Sequence, residues 1–152
     1  MQSKKRGGST VPDPWEHLGE HLPDVVLVRE RIAEPGRYYD EHRAIVLRAG
    51  LRIEEERRYL WHEIVHAVRR DRRCEGWLGA KVERSVEREA MQRAMPFVTV
   101  EAQLARAATW QDFVWVMKVP EPWVVERLHI AHPAEVELWR RACRWSLAEW
   151  VA

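Results

Sequence analysis

Apolar and polar positions follow two periods along the chain, and the change of period divides it. Pro14 fits the first turn of a short helix, Trp15 to Glu20, which Pro23 closes. Asp24-Val25-Val26-Leu27-Val28 is a compact β-branched run and predicts a strand. Glu34-Pro35-Gly36-Arg37 predicts a turn. Tyr38-Tyr39 and Ala44-Ile45-Val46-Leu47 predict two more strands around the polar turn Asp40-Glu41-His42. The pattern then lengthens. From Glu54 to Arg70 nothing breaks a helix, and Leu60, Ile64, Val65 and Val68 recur at helical spacing.

Asp71 to Lys81, with Gly76 and Gly79, reads as a flexible loop. Val82 to Met95 predicts a second long helix, stopped by Pro96, with Glu83, Val86, Glu87, Ala90 and Ala94 on one face. Short helices follow: Val100 to Ala108, Trp110 to Lys118 capped by Thr109, Trp123 to His129 beyond Pro120 and Pro122, and a last one from His132-Pro133. Val136, Trp139, Cys143, Leu147 and Trp150 form an apolar stripe on that last helix, opposite Arg140, Arg141 and Arg144. Residues 1–13, rich in Gly, Ser, Lys and Pro, are expected to be disordered. The fold class is α+β: a small, mostly antiparallel sheet packed on two long helices, then short C-terminal helices.

The first long helix carries His62-Glu63-Ile64-Val65-His66, an HExxH motif. Residues four apart on a helix point the same way, so His62 and His66 can each give one imidazole nitrogen to one metal. Glu63 is turned about 100° away and can reach a metal-bound water. Zinc lowers the pKa of such a water to about 7, and a neighbouring carboxylate can carry its proton to a leaving amine. The bland reading is a helix with two surface histidines and a solvated Glu. A catalytic zinc also needs a third protein ligand and an open fourth position. Glu83 and Glu87 lie on the packing face of the next helix, where a carboxylate needs a partner. Both are candidates, and both could instead pair with arginines. Cys74, in the intervening loop, could reach the open position as a thiolate.

A second zinc-type pattern, His17-Leu18-Gly19-Glu20-His21, reads HxxEH. Gly19 weakens its helix and Pro23 ends it, so a capping helix with exposed imidazoles is expected there. The three short helices after Pro96 suggest a helix-turn-helix, but Arg127 and His129 are a thin supply of DNA-reading side chains.

Composition narrows the classes. With 25 basic and 24 acidic residues the chain has no global field to attract nucleic acid. Its two cysteines, Cys74 and Cys143, lack metal-type spacing, though a disulfide between them stays open. No apolar run approaches a membrane span, and no apolar stretch follows the basic start, so a cytoplasmic protein is expected.

HEIVHA, followed by E-x-x-V-E-R-E-A-x-x-x-x-M-P, resembles the ImmA/IrrE family of metallopeptidases. Gly36-Arg37-Tyr38-Tyr39-Asp40 and Glu56-Arg57-Arg58 also look like its actinobacterial and phage-borne members. The resemblance spans about residues 15 to 135. It implies a zincin-like core over residues 14–98 and a helical region, 99–152, on or beside it. It implies Zn2+ on His62, His66 and Glu83, with Glu87 the runner-up, and Glu63 as general base and then acid. It also implies cleavage of a regulatory protein such as a helix-turn-helix transcriptional repressor. Trp61, Glu87 and Arg93-Ala94 depart from the family pattern. They motivate an alternative: a catalytically silent, zinc-stabilised module whose tryptophan-rich helices bind a partner.

Overall fold

A computed structural model describes residues 10–73 and 75–147. Contacts divide the chain into two compact units, Asp13–Ala94 and a unit that holds the residues from Met95 on. The described residues form an α+β arrangement of seven helices and three strands. No helix among them is long and apolar enough to cross a membrane.

In the first unit, α1 (Pro14–His21) is capped by Asp13, whose carboxylate accepts the Trp15 and Glu16 amides. Strands β1 (Val26–Glu30), β2 (Gly36–Tyr39) and β3 (Ala44–Arg48) form one sheet in the order β1-β3-β2. β3 pairs parallel with β1, Val26 opposite Ala44, and antiparallel with β2, Tyr38 opposite Ile45. The sheet is therefore mixed, a correction to the largely antiparallel sheet expected. Burial puts β3 in the middle. It is the most apolar strand, with Ile45 and Leu47 wholly buried, while β1 ends in Arg29 and Glu30. Gly36 and Arg37, read as a turn, begin β2.

Helix α2 (Ile53–Arg69) covers the sheet. Acidic Glu54, Glu55 and Glu56 occupy its first turn and suit the helix dipole. Glu56 is nonetheless buried, and Arg29 of β1 grips it with two guanidinium nitrogens. Arg57, also buried, reaches Asp13 and lies over the Trp15 ring. Trp61 is 2% exposed and meets His17 of α1, so the bulky residue before the first motif histidine is a packing residue.

Helix α3 (Gly76–Ala94) packs on α2 through Val86, Ala90, Met91 and Ala94. It starts six residues before the predicted Val82, so the loop shrinks to residues 71–75. Leu78, Ala80 and Lys81 are good helix formers, and Gly79, read as a loop residue, is buried within the helix.

The second unit contains α4 (Phe97–Arg106), α5 (Trp110–Met117), α6 (Glu121–His129) and α7 (Pro133–Ala142). Thr109 caps α5 as expected, accepting the Asp112 amide, and His132 caps α7. Trp139 of α7 is fully buried, stacks on Phe97 and donates its indole N–H to the Phe97 carbonyl. Arg127 is 3% exposed and bonds the Met95 carbonyl at 2.9 Å over the Trp139 ring. It is a core residue of this unit, not a surface DNA reader. The stripe predicted along the last helix also needs correction. α7 stops at Ala142, leaving Cys143 (a free thiol) and Leu147 beyond it. Trp145 instead packs edge-on against Trp110 and donates to the Ala107 carbonyl. Those contacts outrank the helical period. Cys74 and Trp150 lie outside the described residues.

Candidate metal centre

The centre is built where α2 faces α3. His62 and His66 stand one turn apart, their Nε2 atoms separated by 3.2 Å. Glu83 of α3 approaches both: one carboxylate oxygen lies 3.0 Å from His62 Nε2, the other 3.3 Å from His66 Nε2. The three donor atoms fall within 4.8 Å of one another, and this group could hold a metal ion. The imidazoles are mostly covered while Glu83 is 57% exposed, so the group opens to solvent on the α3 side.

What stands behind the imidazoles fits ligation. A ligating histidine needs its other nitrogen protonated and held, usually by a carboxylate. His62 Nδ1 donates to Glu87 at 2.7 Å, and Arg58 donates to the second oxygen of Glu87 at 2.9 Å. His66 Nδ1 donates to Asp71 at 3.0 Å. Both Nε2 atoms are thereby turned towards Glu83. The structure thus gives the two candidate carboxylates different places: Glu83 joins the Nε2 atoms, and Glu87 sits behind His62. Asp71 was invisible as a site residue, because sequence marked it only as a loop position. Its signal is faint: an acid just past the helix end, five residues after His66.

Glu63 is 6% exposed and lies against β2. The Tyr38 backbone lies near its carboxylate and favours the charged form. Gly36 makes the room. A methyl group at that position would come within 3.0 Å of Leu47 and 3.1 Å of Glu63. Burial raises the Glu63 carboxyl to about 7, against the opposing pull of the His62 charge. Burial pulls His62 down, but the carboxylates of Glu83 and Glu87 on its two nitrogens outweigh this and raise it to about 9. The hydrogen bond to His62 holds Glu83 below the ordinary carboxylate range. Without metal, then, a proton on His62 occupies the place between the carboxylates.

This predicts how stability of the metal-free protein varies with pH. Glu63 ionises less readily folded than unfolded (about 7 against 4.5), so it penalises the fold increasingly as pH rises from about 4.5 through 7. His62 holds its proton more tightly folded than unfolded (about 9 against 6.5), so its stabilisation is complete below about pH 6.5 and lost through about 9. Both act in one direction. Denaturant titrations of chelator-treated protein should show stability falling by on the order of 6 kcal/mol from about pH 5 to about pH 9, about half from each group. Glu63→Gln should flatten the lower half of that fall. A flat or rising profile would contradict the buried ionisations.

The other zinc-type pattern is differently placed. His17 and His21 stack at 4.4 Å, and His21 Nδ1 donates to the His17 carbonyl at 3.2 Å. His17 leans on Trp61, and among the described residues neither belongs to the metal-competent group.

No protein-family model and no curated protein matches the chain.

Proposed function

We propose that this protein is a zinc-dependent peptidase of the ImmA/IrrE type, with a zincin-like core. One observation carries the reading: two histidines and a glutamate converge through their metal-facing atoms, with a buried glutamate beside the first histidine. The separate carboxylates on the two Nδ1 atoms support it, since unrelated surface histidines have no need of them. His62, His66 and Glu83 would hold the metal. Zinc, when bound, supplies Lewis acidity to a water and to the scissile carbonyl.

The chain's own residues do the rest. Glu63 takes a proton from the attacking water on its carboxylate and returns it to the leaving amine. Burial raises its carboxyl to about 7 in the metal-free protein, which favours proton uptake. Gly36 lets the Glu63 carboxylate lie flush against the strand. Glu87 and Asp71 hold the histidine tautomers. The proposed substrate is a cytoplasmic regulatory protein such as a helix-turn-helix repressor, a choice that rests on the sequence resemblance.

Protein purified without added metal should carry about one zinc per chain, as two histidines and a carboxylate favour. It should cut a degenerate mixture of unstructured peptides, as read by mass spectrometry. A chelator should stop the cutting and zinc restore it. Cleavage that persists after complete metal removal would refute the reading.

The alternative, a zinc-stabilised partner-binding module, is favoured by Trp115. It is 81% exposed on a shallow groove lined by Trp110, Gln111, Val114 and Glu121. In that reading a loaded site has no exchangeable fourth position, and it binds neither peptide nor hydroxamate.

A further inference from the structure

The carboxylate behind His66 depends on a single backbone feature. Helix α2 ends at Arg70, whose φ of 58° and ψ of 37° lie in the left-handed region. That turn brings the Asp71 amide back to the His66 carbonyl at 3.0 Å and sets the Asp71 carboxylate on His66 Nδ1. A helix continued through Arg70 would carry Asp71 off the His66 face, since five residues of helix is about 500° of rotation. Arginine does not favour this conformation; glycine does. The Arg70 and Asp71 amides close the turn on the Ala67 and His66 carbonyls, and a side-chain anchor adds a further hold.

The hold comes from the β2–β3 turn. Arg70 Nε lies 2.7 Å from the carboxylate of Asp40, whose side chain is only 9% exposed. The Tyr38 hydroxyl donates to the same Asp40 oxygen at 2.7 Å. Arg43, itself left-handed with φ of 45°, donates to the Tyr38 hydroxyl and, at 2.9 Å, to the Ala67 carbonyl in the last turn of α2. Its Nε is anchored on Asp24. The turn thus grips the end of α2 at two points.

We propose that Asp40 is a positioning residue of the metal centre: by fixing Arg70 in the left-handed turn, it presents Asp71 to His66. This rests on the metal-binding reading above. It assigns no catalytic contact to Asp40. It does make one strand-to-strand turn responsible for aligning a ligand.

The test is zinc affinity, measured by competition with a chromophoric chelator. Asp40→Ala and Arg70→Ala should each weaken zinc about tenfold or more, the usual effect of losing an outer-shell partner. Arg70→Gly should bind as wild type, because glycine takes the turn without an anchor. Asp40→Ala combined with Arg70→Gly should return to wild-type affinity, a rescue that a merely structural Asp40 would not show. Asp40→Ala should add nothing in an Asp71→Ala background. Unchanged zinc affinity in Asp40→Ala, or equal losses in Arg70→Gly and Arg70→Ala, would overturn the assignment while leaving the metal site standing. Should Asp40→Ala fail to fold, the two Arg70 variants decide alone. Wild-type protein that binds no zinc would overturn the metal site as well.

Discussion

Glu63→Gln is expected to keep zinc bound and to reduce peptide-bond cleavage by about 10²–10⁴-fold, the range that a positioned proton carrier contributes. Glutamine is close in volume, so it fits the space that Gly36 leaves against β2. It cannot take a proton at neutral pH. The change therefore removes the base and little else. Metal content should not move, because Glu63 stands apart from the three converging donors. The pH profile gives a second check. Wild-type activity should rise through the ionisation of one group, and zinc bound nearby should pull that group below its metal-free value of about 7. A Gln variant that cleaves at the wild-type rate would remove Glu63 from the mechanism. A variant that loses zinc would mean instead that the buried carboxylate supports the site itself.

Glu83→Ala and Glu87→Ala should separate by their zinc affinity. Removing Glu83 takes away one of three donors, and the protein should emerge from purification with little or no zinc. Removing Glu87 leaves all three donors in place but frees the far side of His62. The expected loss is about 10–100-fold in affinity, with zinc still bound when it is supplied in excess. Glu87→Gln should lose less than Glu87→Ala, since an amide oxygen still accepts the Nδ1 hydrogen. Arg58→Ala should act in the same direction and more weakly, through the oxygen of Glu87 that it steadies at 2.9 Å. Isothermal titration against a zinc-buffered reference reads all four. If Glu87→Ala removed zinc and Glu83→Ala kept it, the two carboxylates would have exchanged roles, and a shift of α3 along α2 would be required.

The two glutamates mark the limit of what the sequence made legible. Their spacing puts them one turn apart on one face of α3, so either could meet α2. Which oxygen meets which nitrogen depends on how far one helix slides along the other. A slide of one turn, about 5.4 Å, would exchange them. That offset is set by Val86, Ala90 and Ala94 seating on α2, and by ion pairs such as Arg69 with Glu89, none of which a periodicity reveals. The order of the strands was hidden for a similar reason. Alternation marks a strand, but the neighbour it takes depends on which strand most needs both faces and both edges covered. Arg127 shows the same gap from the other side. As a sequence symbol it is a surface cation, and only packing reveals it beneath Trp139 with the Met95 carbonyl as partner.

The sequence by itself determined what is local. An uninterrupted helical stretch put His62 and His66 on one face, because residues four apart share a side whatever surrounds them. It set the Thr109 cap through a side chain that reaches only three residues ahead. It also ended the second long helix at Pro96. Tertiary structure alone decided the rest: the middle place of β3, Glu83 beside the imidazoles with Glu87 behind, Asp71 turned under His66, and Gly36 leaving space for Glu63. Each joins residues from different elements. Their meeting is governed by burial and by the relative offset of helices and strands, which no short-range pattern encodes.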